Sequence, residues 1–146
     1  MRNITPLNPQ CFYNLLMASN DKKPSKLLSD WPAAVIDNGT FKYVLIEVYA
    51  TDPDQPDKEH SKLLVRGNLS AEYHADVYDV EEESLRAKGL DCQCIGGGRI
   101  LHEKSQKFIK VYGYSVGFGR ADHTKTVEVL KTTFPDYKIE WSNDGY

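Results

Sequence analysis

A single histidine, His74, stands where the sequence predicts the start of a helix. Ser70 is a plausible N-cap four residues earlier, and Glu72 would lie in the first turn. Backbone N–H groups at a helix start have no intrahelical partner, so an anion could bind beside the imidazole. The positive end of the helix dipole also disfavours the imidazolium. The position predicts a histidine that is neutral near pH 7 and able to act as a base, although most helical histidines are ordinary surface or half-buried residues.

A glycine-rich stretch, GYSVGFGRAD at 113–122, lies between a predicted strand and a predicted helix. The N–H groups of Ser115, Val116 and Gly117, with the Ser115 hydroxyl, could hold an oxyanion near that helix start. The stretch lacks the Gly-Lys-Ser/Thr of a P-loop and the spacing of a dinucleotide-binding fingerprint, so a nucleotide hydrolase is not indicated. Taken alone, such a turn is a weak signal for a binding site.

Residues 92–99, CQCIGGGR, superficially resemble a tyrosine-phosphatase loop. In that loop, the number of residues between the nucleophilic cysteine and the arginine is intermediate between the two numbers found here, because four residues separate Cys94 from Arg99 and six separate Cys92 from Arg99. Neither cysteine therefore has the required spacing. A zinc site is not indicated either, because the C-x-C pair has no second pair and only the distant His102 could join it. Buried strand cysteines are the better interpretation, and we expect no metal and no other cofactor.

One neutral histidine could suffice for phosphoryl chemistry when the leaving group is good. The P–N bond of a phosphoramidate, as in phosphohistidine, needs less electrophilic assistance than a phosphate ester. The histidine would act as a general base toward water or would itself accept the phosphoryl group, assisted by N–H donors and cations. The candidate cations are Lys42, Arg66 and Arg99, each of which alone is more typical of a surface charge.

Hydrophobic patterning predicts the elements that must position these residues. The predicted strands are 41–49, 62–66, 91–95, 107–114 and 137–141. The first should be central, because Val44, Leu45 and Ile46 are apolar on both faces. The three glycines 96–98 predict a tight turn or a close backbone approach to something bound.

Two helices are predicted, at 71–88 and 123–132, the first ended by Gly89 and the second capped by Asp122. The apolar stripe expected to face the core consists of Tyr73, Val77, Val80 and Leu85. Glutamates 81–83 should form the solvated face. About six strands and two helices predict an α+β, or mixed α/β, fold: a single domain with a mixed sheet of about six strands flanked by two helices.

The bulk properties are those of one ordinary globular domain of 146 residues. The net charge of −3 argues against nonspecific nucleic-acid binding. No apolar run approaches the roughly 20 residues that cross a membrane. Three cysteines make no disulfide framework, so a reducing, cytoplasmic location is expected. We also expect a monomer. Because prolines interrupt the polar residues 1–33, we expect a poorly ordered extension there and the domain at 34–146.

Several motifs, taken in order, resemble the protein histidine phosphatase, or Janus/ocnus, family. They are FKYVLI (41–46), VRG (65–67), AEYHADVYD (71–79), CQCIGGGRI (92–100), VYGYS (111–115), FPDY (134–137) and WSNDGY (141–146). The resemblance covers about 35–146. It implies a compact domain with a six-stranded sheet and two helices, which removes phosphate from phosphohistidine-containing proteins without a metal.

The resemblance also implies roles for single residues. His74 would be the catalytic base or phosphoryl acceptor. The residues that would contact the phosphate are Lys42, Ala75, Ser115, Val116 and Gly117. Arg66 and Arg99 would make the surroundings positive, by meeting the substrate or by holding the site together. His102 and His123 are weaker candidates, and His123 is expected to be a solvated residue at a helix start.

Two alternatives belong to other classes. A non-catalytic, regulatory module of the Janus type would bind phosphate or a phosphopeptide without releasing phosphate. Serine or threonine phosphatase activity is disfavoured, because the sequence contains no evident metal cluster and the ester is a worse leaving group.

Overall fold

Six strands and three helices make up the part of the chain that the computed structural model describes, residues 23–145. The helices are α1 (Pro24–Asp30), α2 (His74–Ala87) and α3 (His123–Thr133). The strands are β1 (Ala34–Ile36), β2 (Gly39–Thr51), β3 (Glu59–Gly67), β4 (Asp91–Glu103), β5 (Phe108–Tyr112) and β6 (Lys138–Trp141). A single 3₁₀ turn, Lys104–Gln106, joins β4 to β5. No helix among these residues is both long and apolar enough to span a bilayer.

The strands form one mixed sheet in the order β1-β3-β2-β4-β5-β6. The interior pairs are antiparallel, whereas β1 pairs with β3 and β5 pairs with β6 in parallel. The predicted α+β class and the six-stranded sheet are therefore confirmed, and β2 lies inside the sheet as predicted.

Both faces of β2 are buried, as its continuous apolar run predicts. One face carries Val44, Ile46 and Val48, which pack with α1 and α2. The opposite face carries Phe41, Tyr43 and Leu45, which pack with α3. Lys42 shares the α2 side of the strand with Val44, so the alternation of the strand directs this lysine toward the start of α2.

Strand β4 differs from the prediction of a short strand followed by a glycine turn. It continues through Gly96–Gly98 to Glu103, and its register against β2 shifts between Leu45 and Ile46. This irregularity places one extra β4 residue, Ile95, opposite the step. After Ile95, the alternation of β4 residues between the two faces of the sheet is shifted by one position. As a result, Gly97 and Arg99 lie on the face that is covered by α2.

Helix α2 begins three residues later than predicted, at His74, with Tyr73 rather than Ser70 as the N-cap. The prediction that Tyr73 and Val80 face the core is wrong, because they are 63% and 68% exposed. Val77 and Leu85 are buried as predicted, and Gly89 ends the helix with a φ of 79°. Helix α3 has its predicted cap, since Asp122 accepts a hydrogen bond from the Thr124 N–H at 3.0 Å.

Within residues 23–33 the structure has a helix, α1 (Pro24–Asp30), where the sequence predicted irregular chain. At the start of α1, the Ser25 N–H donates to the Asp52 carboxylate at 2.9 Å. At its end, the Lys62 ammonium donates to the carbonyls of Leu28, Ser29 and Trp31. Leu28 is buried in the core beside β2. The expectation for residues 1–22 lies outside the described residues.

Candidate active site

A cleft of about 620 Å³ lies between the start of α2 and the loop that follows β5. Its walls are formed by Lys42, Glu72, Tyr73, His74, Ala75, Tyr114, Ser115, Val116, Gly117 and Phe118. Six of the eight residues predicted for the site line this cleft, and Arg66 and Arg99 do not. Two segments about 40 residues apart in the sequence therefore meet around one space.

His74 is the first residue of α2, and its ring orientation is set by β4. Its Nε2 lies 2.9 Å from the Gly98 carbonyl oxygen, which can only accept a hydrogen bond. Nε2 therefore carries the hydrogen of the neutral ring, and Nδ1 keeps its lone pair. This geometry defines which atom of the imidazole can accept a proton.

The surroundings of His74 disfavour its positive charge. Burial lowers its pKa most strongly, and the nearby charges of Lys42 and Arg99 lower it further, against the opposing effect of the Gly98 hydrogen bond. The pKa therefore lies below the ordinary value of 6.5, and the ring is neutral at pH 7. The imidazole is therefore neutral, as expected, mainly because of burial and neighbouring charges.

The first turn of α2 leaves a donor toward the cleft. The Tyr73 N–H donates to the Asp76 carboxylate at 2.8 Å, and the Asp76 N–H donates to the Tyr73 carbonyl at 3.0 Å. Ala75 lies between them as the second residue of the helix, so its N–H has no intrahelical partner. Because Ala75 also lies in the cleft wall, its N–H is a suitable hydrogen-bond donor to a bound anion.

The loop after β5 closes on itself between Ser115 and Gly119. The Gly119 N–H donates to the Ser115 carbonyl at 2.8 Å, and the Ser115 N–H donates to the Gly119 carbonyl at 3.2 Å. The Phe118 N–H donates to Ser115 Oγ at 3.1 Å. The expected N–H donor at Ser115 is therefore already used within the loop, whereas its hydroxyl hydrogen can still be donated. Val116 and Gly117 form the exposed tip.

Gly97 is the point where the two walls of the cleft meet. The loop is attached to it by hydrogen bonds of 3.0 Å from the Gly97 N–H to the Gly119 carbonyl and from the Ala121 N–H to the Gly97 carbonyl. A Cβ at Gly97 would lie 2.8 Å from His74 Cδ2 and 3.1 Å from Ser115 Cβ. The predicted close approach is therefore made by the protein's own side chains.

The three predicted cations occupy two different places. Lys42 and Arg99 stand opposite each other in the pairing of β2 with β4, beside His74. Arg66 lies apart from the cleft, with Nε 3.1 Å from Glu81 Oε1 and Nη2 2.6 Å from the Pro32 carbonyl oxygen. Its side chain is only 7% exposed. Of the two roles expected for Arg66, these contacts favour holding the site together, by attaching α2 to the domain, over meeting the substrate.

Comparison with known proteins identifies the family of this chain. The sequence model of the Janus/Ocnus family matches residues 28–138, most of the chain. The chain belongs to the Janus/Ocnus family.

Named relatives cover most of this Janus/Ocnus chain. A 14 kDa phosphohistidine phosphatase of Sus scrofa is 49% identical over 120 residues, which cover 82% of this chain and 95% of that protein. The human protein of the same name is 47% identical, covering 75% of this chain and 87% of that protein. The sex-regulated protein janus-A of Drosophila pseudoobscura pseudoobscura is 43% identical, covering 90% of this chain and 86% of that protein.

The weaker histidine candidates of this Janus/Ocnus domain support its core. His123 is buried, not solvated as expected: its Nε2 donates to the Gly113 carbonyl at 2.9 Å and its Nδ1 accepts from the Tyr43 hydroxyl at 2.7 Å. His102 Nδ1 donates to the Asp37 carbonyl at 2.7 Å. Neither lines the cleft. The sequence alone offered no local signal for the burial of His123, since its partners come from distant segments.

The two cysteines of β4 are thiols within the core. Burial raises the pKa of Cys94 to about 11 and also raises the pKa of Cys92. Neither thiol is therefore prepared to act as a nucleophile, as the spacing had indicated. Within residues 23–145, no three or more His, Cys, Asp or Glu side chains are grouped so that they could hold a metal ion.

Proposed function

We propose that this protein is a phosphohistidine phosphatase that hydrolyses the P–N bond of phosphohistidine in proteins, with His74 as general base or phosphoryl acceptor. The observation that carries the proposal is the neutral imidazole whose Nε2 is held by Gly98 and whose Nδ1 is available beside the cleft. The substrate class is supported by relatives named phosphohistidine phosphatase at 47% and 49% identity.

In the general-base route, Nδ1 of His74 takes a proton from water as the water oxygen attacks phosphorus. The P–N bond breaks, its electron pair goes to the substrate histidine nitrogen, and that nitrogen is protonated. The products are inorganic phosphate and free histidine in the substrate protein. In the covalent route, Nδ1 attacks phosphorus directly and the substrate P–N bond breaks, so that the substrate histidine leaves with the electron pair and is protonated. Water then hydrolyses the enzyme's own phosphohistidine, which releases inorganic phosphate and restores His74.

The remaining residues of the cleft are suited to the phosphoryl oxygens. Lys42 and the nearby Arg99 supply positive charge, while the Ala75 N–H supplies a donor at the positive end of α2. From the opposite wall, the Ser115 hydroxyl and the N–H groups of Val116 and Gly117 would complete the binding site. A group already oriented before the reaction does not have to be reorganised during it, which is the source of its catalytic benefit.

The proposal includes a metal-independent reaction, because a P–N bond activated by protonation of its nitrogen needs no Lewis acid. It also includes a monomer that acts in the cytoplasm on phosphohistidine-containing proteins, without nucleic acid or membrane as partner. Sedimentation of the purified chain tests the monomer, and localisation of the tagged chain in cells tests the compartment.

The experiment that tests the activity is phosphate release from a phosphohistidine peptide with a chelator present. Wild type should release phosphate, and His74→Ala should lose at least about 100-fold in kcat. His60→Ala is the matched control, because this β3 histidine does not line the cleft, and it should retain the rate. Hydrolysis retained by His74→Ala would refute the assigned role.

The same experiment addresses the alternative of a non-catalytic, regulatory module. A non-catalytic module would bind the phosphopeptide, as measured by calorimetry with a stable phosphohistidine analogue, without releasing phosphate from the labile peptide.

A further inference from the structure

The carboxylate of Glu81 connects helix α2 to two residues from other parts of the chain. Its Oε2 accepts a hydrogen bond from the Trp31 indole Nε1 at 2.7 Å, and its Oε1 lies 3.1 Å from Arg66 Nε. Its side chain is 16% exposed, although the sequence had placed it on the solvated face. Glu81 thus receives one donor from the segment after α1 and one from β3.

The two donors are themselves held in place. Arg66 also donates to the carbonyl oxygens of Pro32 at 2.6 Å and of Val65 at 3.0 Å. The Trp31 carbonyl accepts from the Lys62 ammonium on β3. The indole is therefore fixed relative to the sheet, and the hydrogen bond from its N–H to Glu81 fixes α2 relative to the indole.

Glu81 lies on the face of α2 that also carries His74. The two residues are seven positions apart, which is close to two helical turns. The His74 ring touches the sheet through the Gly98 carbonyl, and the end of the helix is held by the ion pair of Arg86 with Asp91 at 2.8 Å. Between these two ends, Val77, Tyr78 and Leu85 pack in the core, and Glu81 adds a directional polar contact that opposes sliding or rolling of the helix on the sheet.

We propose that Trp31, acting through Glu81, is a positioning residue for His74. The segment that precedes the sheet would then help to hold the catalytic histidine in place. This inference rests on the proposed function. The physical reason is that catalysis depends steeply on geometry: a displacement of about 1 Å can cost about 100-fold in rate. The contact has a polar donor and a charged acceptor, which makes it directional.

The chain offers a matched pair of variants for a test. Trp31→Phe keeps an aromatic ring but removes the N–H that binds Glu81. Ser25→Ala removes the hydroxyl hydrogen bond to Asp52 at the other end of α1 and keeps the backbone N–H bond to the same carboxylate, and neither bond involves α2. Both changes weaken the attachment of the same segment, and only the first removes a hydrogen bond to Glu81, whose ion pair with Arg66 remains.

Two readouts are measured for wild type and both variants, alongside the melting temperature. The first is kcat and KM for a small phosphoramidate, which makes no contact far from the cleft. The second is the ¹⁵N shifts of the His74 imidazole, which report the hydrogen bond from Nε2 to Gly98. Trp31→Phe should lower kcat about tenfold with little change in KM and should move the His74 shifts. Ser25→Ala should change neither at a similar melting temperature.

Equal effects of the two variants on kcat and on the His74 shifts would overturn the inference, as would unchanged values in Trp31→Phe. Glu81→Gln gives an internal check, because its amide oxygen can still accept from Trp31 and should preserve more of kcat than Glu81→Ala. If the wild type releases no phosphate, the proposed function fails, and the imidazole shifts alone decide whether Trp31 positions His74.

Discussion

At the level of single residues, the state of His74 depends on groups that lie far from it in the sequence. Gly98 selects the tautomer, and Lys42 and Arg99 add to the effect of burial on the ring. Burial, Lys42 and Arg99 favour the neutral imidazole, whereas the Gly98 hydrogen bond opposes this effect and determines that Nδ1 keeps its lone pair. The neutral state predicted from the helix start is therefore favoured by two charged residues of the sheet, and a third sheet residue, Gly98, fixes the orientation of the ring.

The pH dependence of the reaction should show the lowered pKa of His74. A base must be neutral, so kcat/KM should fall as the pH drops through a value below 6.5. Because Lys42 disfavours the imidazolium, Lys42→Met should raise the pKa of His74 and move this acid limb to higher pH. Lys104→Met, a change of an exposed lysine in the 3₁₀ turn, should leave the limb in place. An unmoved limb in Lys42→Met would contradict the electrostatic account.

At the level of elements, β4 is the surface on which the site is assembled. Its glycines allow α2 and the loop after β5 to approach the sheet from opposite sides of the cleft. Gly98 does the same on the other face, where a Cβ would lie 2.8 Å from His123 Cε1. The strand therefore links the cleft to the packing of α3.

Gly97→Ala should damage both stability and activity. Its Cβ would lie 2.8 Å from the Tyr43 carbonyl oxygen and 2.8 Å from the His74 ring, and the backbone atom has no freedom to move away. We expect a loss of about 1–3 kcal/mol in unfolding free energy and a lower kcat, measured by urea denaturation and phosphate release. Gly117→Ala is the control for stability, because no atom lies within 4 Å of its added Cβ. Equal unfolding midpoints for the two variants would contradict this prediction.

At the level of the whole molecule, a buried ion pair ties the helix of the cleft to the edge of the sheet. Arg66 and Glu81 are 7% and 16% exposed, and the arginine also binds the carbonyls that precede β1. The pair lies between α2, β3 and the segment after α1. Loss of this ion pair should therefore lower the unfolding free energy of the whole domain.

Arg66→Met should lower the unfolding free energy by about 3 kcal/mol or more, because it leaves Glu81 partly buried without its charge partner. The double variant Arg66→Met/Glu81→Met should recover part of this loss, since no charge is then left behind. Urea unfolding of the four proteins gives the coupling between the two side chains. A double variant less stable than Arg66→Met would contradict the assignment of the cost to an unpartnered carboxylate.

The agreement between sequence and structure is best where the physical cause is local. The apolar run of β2, the Asp122 cap and the Gly89 stop each depend on neighbouring residues, and each was predicted correctly. Helix α1 was missed because it has only seven residues, too few for a periodic pattern, and is held by residues of β3 and by Asp52. Strand β4 was interrupted in the prediction because glycine usually signals a turn.

The sequence by itself determined the α+β class, the central strand and most of the residues that line the cleft, because strand periodicity, helix capping and family motifs are readable along the chain. Only the tertiary structure decided that Arg66 forms an ion pair with Glu81, whereas the charge of Arg99 lowers the pKa of His74. It also decided that the Ser115 N–H donates a hydrogen bond within its own loop. The physical reason is that a charge or an N–H donor takes whichever partner folding brings within hydrogen-bond distance. That partner can lie tens of residues away, where no local pattern specifies it.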